Sequence, residues 1–236
     1  MVMNRYLVIG SGLIGRLLSW RLIQAGHEVD ILSSDDRLGS DSAGYVAAAM
    51  IAPSTEAISA EPQVKVLGER SLALWPKWLE ALPEPVFYQA NGTLVVAHSG
   101  DKAELQRYQR RAQHVLGAQS YSHLTAATLA EREPELADNF DEAMCFEREA
   151  CMDNKQLFQV LGRVLGQACD WQQCEPIARL SEMVIASLTQ QYFSQLLETY
   201  DAVIDCRGTG AKQDLNQLRG VRGEIIRVRA PDVSLK

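Results

Sequence analysis

The chain has 236 residues, which is enough to bury one large core or two smaller ones. It carries 23 lysines and arginines against 30 aspartates and glutamates, and this net charge of −7 argues against nucleic acid or an anionic membrane surface as the main partner. No window of about 18 apolar residues predicts a membrane-spanning helix. The five cysteines show no C-x-x-C spacing, so they predict reduced thiols in a cytoplasmic protein and neither a disulfide framework nor a zinc site.

The N-terminal segment combines an apolar strand, a glycine-rich turn and an apolar-periodic helix. The strand is predicted over residues 5–9, the turn has the pattern G-x-G-x-x-G, and the helix continues over residues 17–25. In such a turn the first glycine allows the sharp bend, the second lets a diphosphate approach the backbone, and the third lets helix and strand pack closely. The free N–H groups and the positive dipole end of the helix then face the phosphates. We therefore predict a dinucleotide-binding βαβ unit, with a glycine-rich turn that binds nothing as the alternative. The candidate cofactor-binding residues of this turn are Gly10, Ser11, Gly12, Leu13, Ile14 and Gly15.

Residues 29–32 predict the second parallel strand of this unit. An acidic residue that hydrogen-bonds the adenosine ribose is expected at the end of that strand. The sequence has Ser33 and Ser34 there, which we keep as candidate cofactor-binding residues. Asp35 and Asp36 lie just beyond; they either replace the missing acid, if the loop bends back, or are solvated loop residues.

Residues 40–53 are mostly small and would suit a segment that lines a flat cofactor, although a plain buried helical turn explains the composition equally well. The spacing of apolar residues then predicts a helix over residues 64–82 that is kinked or restarted at Pro76.

The middle of the chain predicts a separate antiparallel sheet with helices on one side. Residues 86–88 and 93–97 flank Asn91-Gly92, which is a strong hairpin signal. The other elements predicted here are helices over residues 102–115 and 126–132 and a strand over residues 143–146.

The last part of the chain is predicted to return to the nucleotide-binding fold. A helix begins at Asp153 or Asn154. A buried strand then leads into a glycine turn within residues 200–210, which suits a late parallel strand that ends beside the nucleotide. The remaining predictions are strands over residues 176–180, 183–186 and 219–229.

Few side chains suggest chemistry of their own. The four histidines are scattered and predict no metal site. Ser11 is not in a G-x-S-x-G motif, so a hydrolase nucleophile is not expected. Arg16 is placed either to neutralise a phosphate or as an exposed first-turn residue. No catalytic residue is identified.

The glycine turn is followed along the chain by further recognisable segments. They are Ala48-Ala49-Met50-Ile51-Ala52-Pro53 with Glu56, Gly92-Thr93-Leu94-Val95-Val96, Met152-Asp153-Asn154, residues 200–210 and Gly220-Val221-Arg222-Gly223-Glu224. In order and spacing these segments resemble the D-amino-acid oxidase superfamily of FAD-dependent flavoproteins, most closely its glycine oxidase branch associated with thiamine biosynthesis.

The resemblance implies FAD as the cofactor and an α/β fold, in which an antiparallel or mixed-sheet α+β substrate domain is inserted into a Rossmann-like FAD-binding domain of the GR2 type. The implied FAD-binding domain is residues 1–82 and 148–212, and the implied, incomplete substrate domain is residues 83–147 and 213–236. Further cofactor-binding candidates implied by the resemblance are Ala48, Ala49, Met50 and Gly208.

The activity implied by the resemblance is oxidation of glycine, sarcosine or a D-amino acid to the imine, with hydride transfer to the flavin. Because the cofactor supplies the redox chemistry, the lack of a recognisable acid–base pair does not count against an enzyme.

Three features depart from the family pattern. Ser33 replaces the ribose-binding glutamate, Ala49 stands where glycine is usual, and the chain lacks the C-terminal third of the family. We therefore expect a fragment that is poorly active alone, and whose terminal strand over residues 219–229 lacks a partner and favours self-association.

Two other functions remain open at this point. An NAD-dependent dehydrogenase uses the same turn, although no second Rossmann half follows directly. A degenerate, non-catalytic nucleotide-binding module would explain Ser33 and the short C-terminus.

Overall fold

The computed structural model describes residues 2–182, 184–185, 191–192 and 198–235, and it divides into two compact units. One unit comprises residues 1–48 and 154–225, and the other comprises residues 49–153 and 226–236. Residues 49–82 thus group with the second unit, whereas the sequence placed them in an FAD-binding domain. Which residues belong to a functional FAD-binding domain remains a prediction, because compactness alone does not say which residues touch a cofactor.

The strands of the described residues are β1 (Arg5–Ile9), β2 (Glu28–Ser33), β3 (Met50–Ile51), β4 (Tyr88–Gln89), β5 (Thr93–Val96), β6 (Ser122–Thr125), β7 (Glu142–Phe146), β8 (Ala150–Met152), β9 (Trp171–Gln173), β10 (Val184–Ile185), β11 (Gln191–Tyr192) and β12 (Ala202–Asp205). The helices are α1 (Leu13–Gln24), α2 (Ala43–Val46), α3 (Pro53–Ala57), α4 (Pro62–Glu80), α5 (Lys102–Leu116), α6 (Ala126–Arg132), α7 (Pro134–Ala137) and α8 (Asn154–Ala168).

The first unit is built on a parallel sheet in the order β12-β1-β2-β9. Its two central strands contain buried apolar runs at residues 7–9 and 31–32, as expected for strands covered on both faces. Leu7, Ile9 and Leu32 pack with Tyr200 in one buried cluster. Helix α1 connects β1 to β2 and packs against α8, whose apolar side is fully buried. The predicted βαβ unit and the late parallel strand are therefore confirmed.

The second unit contains two antiparallel sheets, in the orders β3-β8-β4 and β5-β7-β6. Met144 and Phe146 of β7 pack against Leu105 and Ala112 of α5 in its core. The predicted α/β fold class is confirmed, as are the antiparallel sheet and the helices predicted over residues 102–115 and 126–132.

The predicted hairpin at Asn91-Gly92 is wrong. Strand β4 pairs with β8, whereas β5 pairs with β7, so the two strands that flank the turn belong to different sheets. Gly92 has a φ of +86° and donates its N–H to the carbonyl of Glu149. Gly92 adopts the positive φ that the local signal suggests, but residues 90–92 form no turn. Pairing with strands more than 45 residues away in sequence determines which sheet each strand joins.

Two further elements differ from the sequence-based expectation. Helix α4 continues past Pro76 to Glu80, so the helix does not restart at the proline; a kink there remains a prediction. Residues 176–179 form no strand, and Met183 and Ala186 of the other predicted strand lie outside the described residues.

The strand predicted over residues 219–229 is also absent from the structure. Its alternating apolar residues are exposed instead, with Val221 at 95% and Ile226 at 89% of full accessibility. A strand requires a hydrogen-bonding neighbour, and no described strand pairs with this segment.

None of the helices described here combines the length and apolar character that a membrane crossing requires.

Candidate functional site: the glycine turn and its surroundings

The turn between β1 and α1 has the geometry that its glycines predict. Gly10 has a φ of +101°, and a Cβ atom there would lie 2.6 Å from the carbonyl oxygen of Cys206. A Cβ atom on Gly15 would lie 1.9 Å from the carbonyl oxygen of Gly10, so helix and strand touch at this point. The first and third glycines therefore serve the bend and the close packing for which they were predicted.

The second glycine leaves the N-terminus of α1 open. Gly12 is the N-cap residue, has φ −65° and ψ −175°, and provides no side-chain cap. The first N–H groups of a helix have no partner within the helix and carry its positive dipole end. A Cβ atom on Gly12 would find only Ser42 Cβ, at 3.9 Å. These features fit a diphosphate at the start of α1, which begins with Leu13 and the exposed Ile14.

Ser33 makes three hydrogen bonds within the protein. Its Oγ accepts the N–H of Ser11 at 3.2 Å, the hydroxyl of Ser11 at 2.7 Å and the N–H of Asp35 at 3.2 Å. Both serines are buried, whereas Ser34 is exposed. Ser33 therefore fastens the glycine turn to the end of β2.

The acids beyond Ser33 organise their own loop. Asp36 accepts the N–H groups of Gly39 at 2.6 Å and Ser40 at 3.3 Å. Partial burial opposes ionisation, but the donation from Ser40 and Gly39 outweighs it and lowers the pKa of Asp36. Asp35 Oδ1 accepts the N–H of Asp41, while its Oδ2 is buried and has no hydrogen-bond partner among the described residues. These hydrogen bonds lie within residues 35–41, and a ribose contact by either acid remains a prediction.

Arg16 adopts neither of the two predicted placements: it is not exposed, and its guanidinium is enclosed by protein groups instead of being free to pair with a phosphate. It is fully buried, and its guanidinium lies between the rings of Phe158 and Trp171, 4.8 Å from each centroid. It donates to the carbonyl oxygens of Ser11 at 2.7 Å and Phe158 at 3.1 Å, so it joins the glycine turn to α8. Its burial could not be read from the sequence, since a charged residue in the first helical turn is usually solvated.

The end of β12 lies against the same turn. The N–H of Cys206 donates to the carbonyl of Ile9 at 2.7 Å, and Gly208 follows with a φ of +56° and open space around it. Arg207 is held by Asp205 at 2.8 Å and by Asp214 at 2.6 Å. Hydrogen bonding by Arg207 lowers the pKa of Asp205 below its ordinary value.

Asn154 holds the start of the small-residue segment in the first unit. Its side-chain amide donates to the carbonyl oxygens of Gly44 at 2.7 Å, Tyr45 at 2.9 Å and Ala47 at 2.9 Å. Three carbonyls at the end of α2 are thereby satisfied by one buried amide, and Ala48 follows directly as an exposed residue. The sequence identified Asn154 only as a helix start.

In the second unit, Ala49 and Met50 continue this segment. Ala49 has a φ of +59°, a left-handed conformation that favours glycine, which agrees with its place in the family pattern. Met50 pairs with Cys151 and is 55% exposed.

The buried Glu149 was not predicted as a functional residue. Its Oε1 accepts the N–H groups of Ser54 and Thr55 at 2.9 and 2.8 Å, which caps α3. The only sequence signal for this contact would have been an acid beside a strand of small residues.

The structure thus brings the candidates of the glycine turn together with Ser33 and Gly208 at the carboxyl ends of β1, β2 and β12. That Ala48, Ala49 and Met50 contact the isoalloxazine remains a prediction.

Comparison with known proteins places this geometry in a family. The model of the FAD-dependent oxidoreductase family DAO matches residues 5–236. A Rhizobium etli protein, provisionally assigned as the thiamine biosynthesis oxidoreductase ThiO, is 34% identical over 98% of this chain and 62% of its own length. The chain therefore spans somewhat less than two thirds of that relative.

Among the solved structures that share the fold, two are compared with this chain. Glycine oxidase from Geobacillus kaustophilus aligns with a TM-score of 0.67 at 21% identity, over 89% of this chain and 57% of the other. The L-α-glycerophosphate oxidase of Mycoplasma pneumoniae, solved with FAD bound, aligns with a TM-score of 0.54 at 17% identity, over 74% of this chain and 45% of the other. The family match sets aside an NAD-dependent dehydrogenase. The chain belongs to the DAO family of FAD-dependent oxidoreductases.

Proposed function

We propose that the protein oxidises a small amino acid or secondary amine, of the glycine, sarcosine or D-amino acid type, to the imine. The glycine turn carries this proposal, because Gly10 and Gly15 give it the close packing of a dinucleotide site while Gly12 leaves the start of α1 open. The similarity along 98% of the chain to a relative provisionally assigned as an oxidoreductase of thiamine biosynthesis supports an oxidoreductase. The substrate class is the one implied by the resemblance to the glycine oxidase branch. Bound FAD would supply the redox chemistry by accepting a hydride from the substrate Cα.

The residues of this chain bind and orient the cofactor in this proposal. The N–H groups at the start of α1 would hold the diphosphate, and Ser33 keeps the turn in place. Asn154 fixes the carbonyls that precede Ala48. By the family resemblance, Ala48, Ala49 and Met50 would contact the isoalloxazine. In the proposed division of labour, residues 1–82 and 148–212 hold FAD, while residues 83–147 and 213–236 contribute to the substrate side.

The test is to purify the chain with FAD and record its visible spectrum and its oxidase activity. Bound flavin should give bands at about 370 and 450 nm. We expect flavin binding with slow oxidation of glycine, sarcosine or D-alanine, measured as hydrogen peroxide release, because the chain spans only part of its relatives. Failure to bind FAD would refute the cofactor assignment. A non-catalytic module would be favoured if FAD bound but no turnover occurred, both in this chain and in a chain extended to the full length of the relatives.

We further propose that the protein acts in the cytoplasm and self-associates through residues 219–229. The reduced cysteines support the first point. The exposed apolar side chains of Val221, Ile226 and Val228 support the second. Sedimentation velocity should show a concentration-dependent dimer that Ile226→Lys abolishes; a monomer at all concentrations would contradict self-association.

A further inference from the structure

Arg16 is a buried cation whose hydrogen-bond partners among the described residues are all neutral backbone carbonyls. Besides Ser11 and Phe158, it donates to the carbonyl oxygens of Arg37 at 3.0 Å and Asp36 at 3.4 Å. These acceptors satisfy its donors, and the two aromatic faces attract its charge. They do not neutralise it, because carbonyl groups are dipoles without net charge.

The positive charge of Arg16 is therefore only partly compensated. Among the described residues, no carboxylate lies within ion-pair distance of the guanidinium. Burial lowers its pKa to about 10, while Asp35 and Asp36 act from a distance in the opposite sense. Arg16 thus remains protonated at neutral pH. Burying such a charge is costly unless it is paired and hydrogen-bonded, and here only the hydrogen bonds are present among the described residues.

The charge of Arg16 acts directly on the peptide between Ser11 and Gly12. Arg16 Nε donates to the carbonyl oxygen of Ser11, and the N–H of the same peptide belongs to Gly12 at the open start of α1. A charged donor on the carbonyl polarises the amide and makes its N–H a stronger donor, as in other hydrogen-bond chains. The buried charge of Arg16 therefore strengthens the Gly12 N–H as a donor at the surface where an anion would bind.

We propose that Arg16 is a positioning residue that strengthens diphosphate binding at the glycine turn through the Ser11–Gly12 peptide. This inference rests on the proposed binding of FAD at that turn. Arg16 also fixes the carbonyls of Asp36 and Arg37 in the loop after β2. The charge effect and this structural support differ in one respect: only the charge effect depends on whether the ligand is an anion.

ADP and adenosine separate the two effects, since ADP carries the diphosphate of FAD and adenosine does not. Their dissociation constants are measured by calorimetry at low salt for the wild-type chain, Arg16→Met, Arg16→Lys and the control Arg21→Met. Arg21 lies on the same helix, is exposed and carries the same charge. We expect Arg16→Met to weaken ADP binding about tenfold and adenosine binding less than about twofold. Arg16→Lys should retain part of the preference for ADP, and Arg21→Met should retain all of it.

Several outcomes would overturn the proposal. Equal losses for ADP and adenosine in Arg16→Met would show structural support alone. An equal loss of ADP preference in Arg21→Met would show a general charge effect. If Arg16→Met does not fold, Arg16→Lys decides: a folded lysine variant without any ADP preference refutes the role of the charge. A wild-type chain that binds ADP no better than adenosine would refute the diphosphate site itself, and the role of Arg16 with it.

Discussion

The second and third glycines of the turn should respond differently to substitution, because an added Cβ atom would collide with backbone at Gly15 but not at Gly12. A Cβ atom on Gly15 would lie 1.9 Å from Gly10 O, far inside the 3.4 Å at which ordinary contact begins. Helix α1 would have to move away from β1, and overpacking of this kind costs about 1–3 kcal/mol or more. We expect Gly15→Ala to lower the free energy of unfolding by at least about 2 kcal/mol.

Gly12→Ala is the matched variant and should affect binding instead of folding. Its new methyl group meets only Ser42 Cβ at 3.9 Å, and the φ of −65° suits alanine. The loss of glycine as N-cap, up to about 1 kcal/mol, is offset by the smaller entropy of the unfolded chain, about 0.4–1 kcal/mol. Stability should therefore change by less than about 0.5 kcal/mol, whereas FAD affinity should fall at least about tenfold because the methyl group stands where the diphosphate approaches.

Urea unfolding followed by circular dichroism measures the stability of both variants, and quenching of FAD fluorescence measures binding. The reasoning would be refuted if Gly12→Ala lost as much stability as Gly15→Ala while binding FAD normally. It would equally fail if Gly15→Ala were as stable as the wild-type chain.

Three further predictions concern other residues of the two units. Ala49→Gly should raise the free energy of unfolding by about 0.5–1 kcal/mol in thermal melts, because relief of the left-handed conformation exceeds the entropy cost of glycine. Glu149→Ala should cost about 1–3 kcal/mol, since the first N–H groups of α3 lose a buried carboxylate acceptor, whereas the control Glu147→Ala removes a solvent-exposed ion pair and should cost less than about 1 kcal/mol. Arg207 lowers the pKa of Asp205, so the ionised carboxylate stabilises the fold. This stabilisation is complete above the ordinary carboxyl pKa of about 3.9 and is lost as the pH falls through the lowered pKa. Asp205→Asn should therefore flatten the acid side of a plot of unfolding midpoint against pH.

Each of these expectations has a contrary result. A less stable Ala49→Gly would show that the left-handed conformation carries no strain. Equal losses in Glu149→Ala and Glu147→Ala would remove the helix-capping role of Glu149. An acid dependence unchanged in Asp205→Asn would assign it to other carboxylates.

Much of the fold was determined by local sequence. The run of apolar residues before Gly10, the spacing of the glycines and the helical periodicity after Asn154 predicted β1, α1 and α8, since each pattern acts within a few residues. The glycine-turn candidates followed from the same local rule, because only glycine fits at Gly10 and Gly15.

Only the tertiary structure decided the rest. The positive φ of Gly92 fits the Asn91-Gly92 signal, but no hairpin turn forms there, because distant strands determine the pairing on either side of it. The sequence placed Ser33 by analogy with the family, but the structure shows that it hydrogen-bonds Ser11. The sequence judged Arg16 by its charge, but two aromatic rings enclose its guanidinium. The reason is that turn and helix preferences are short-range, whereas burial, strand pairing and the partners of a buried polar group depend on residues brought together from distant parts of the chain.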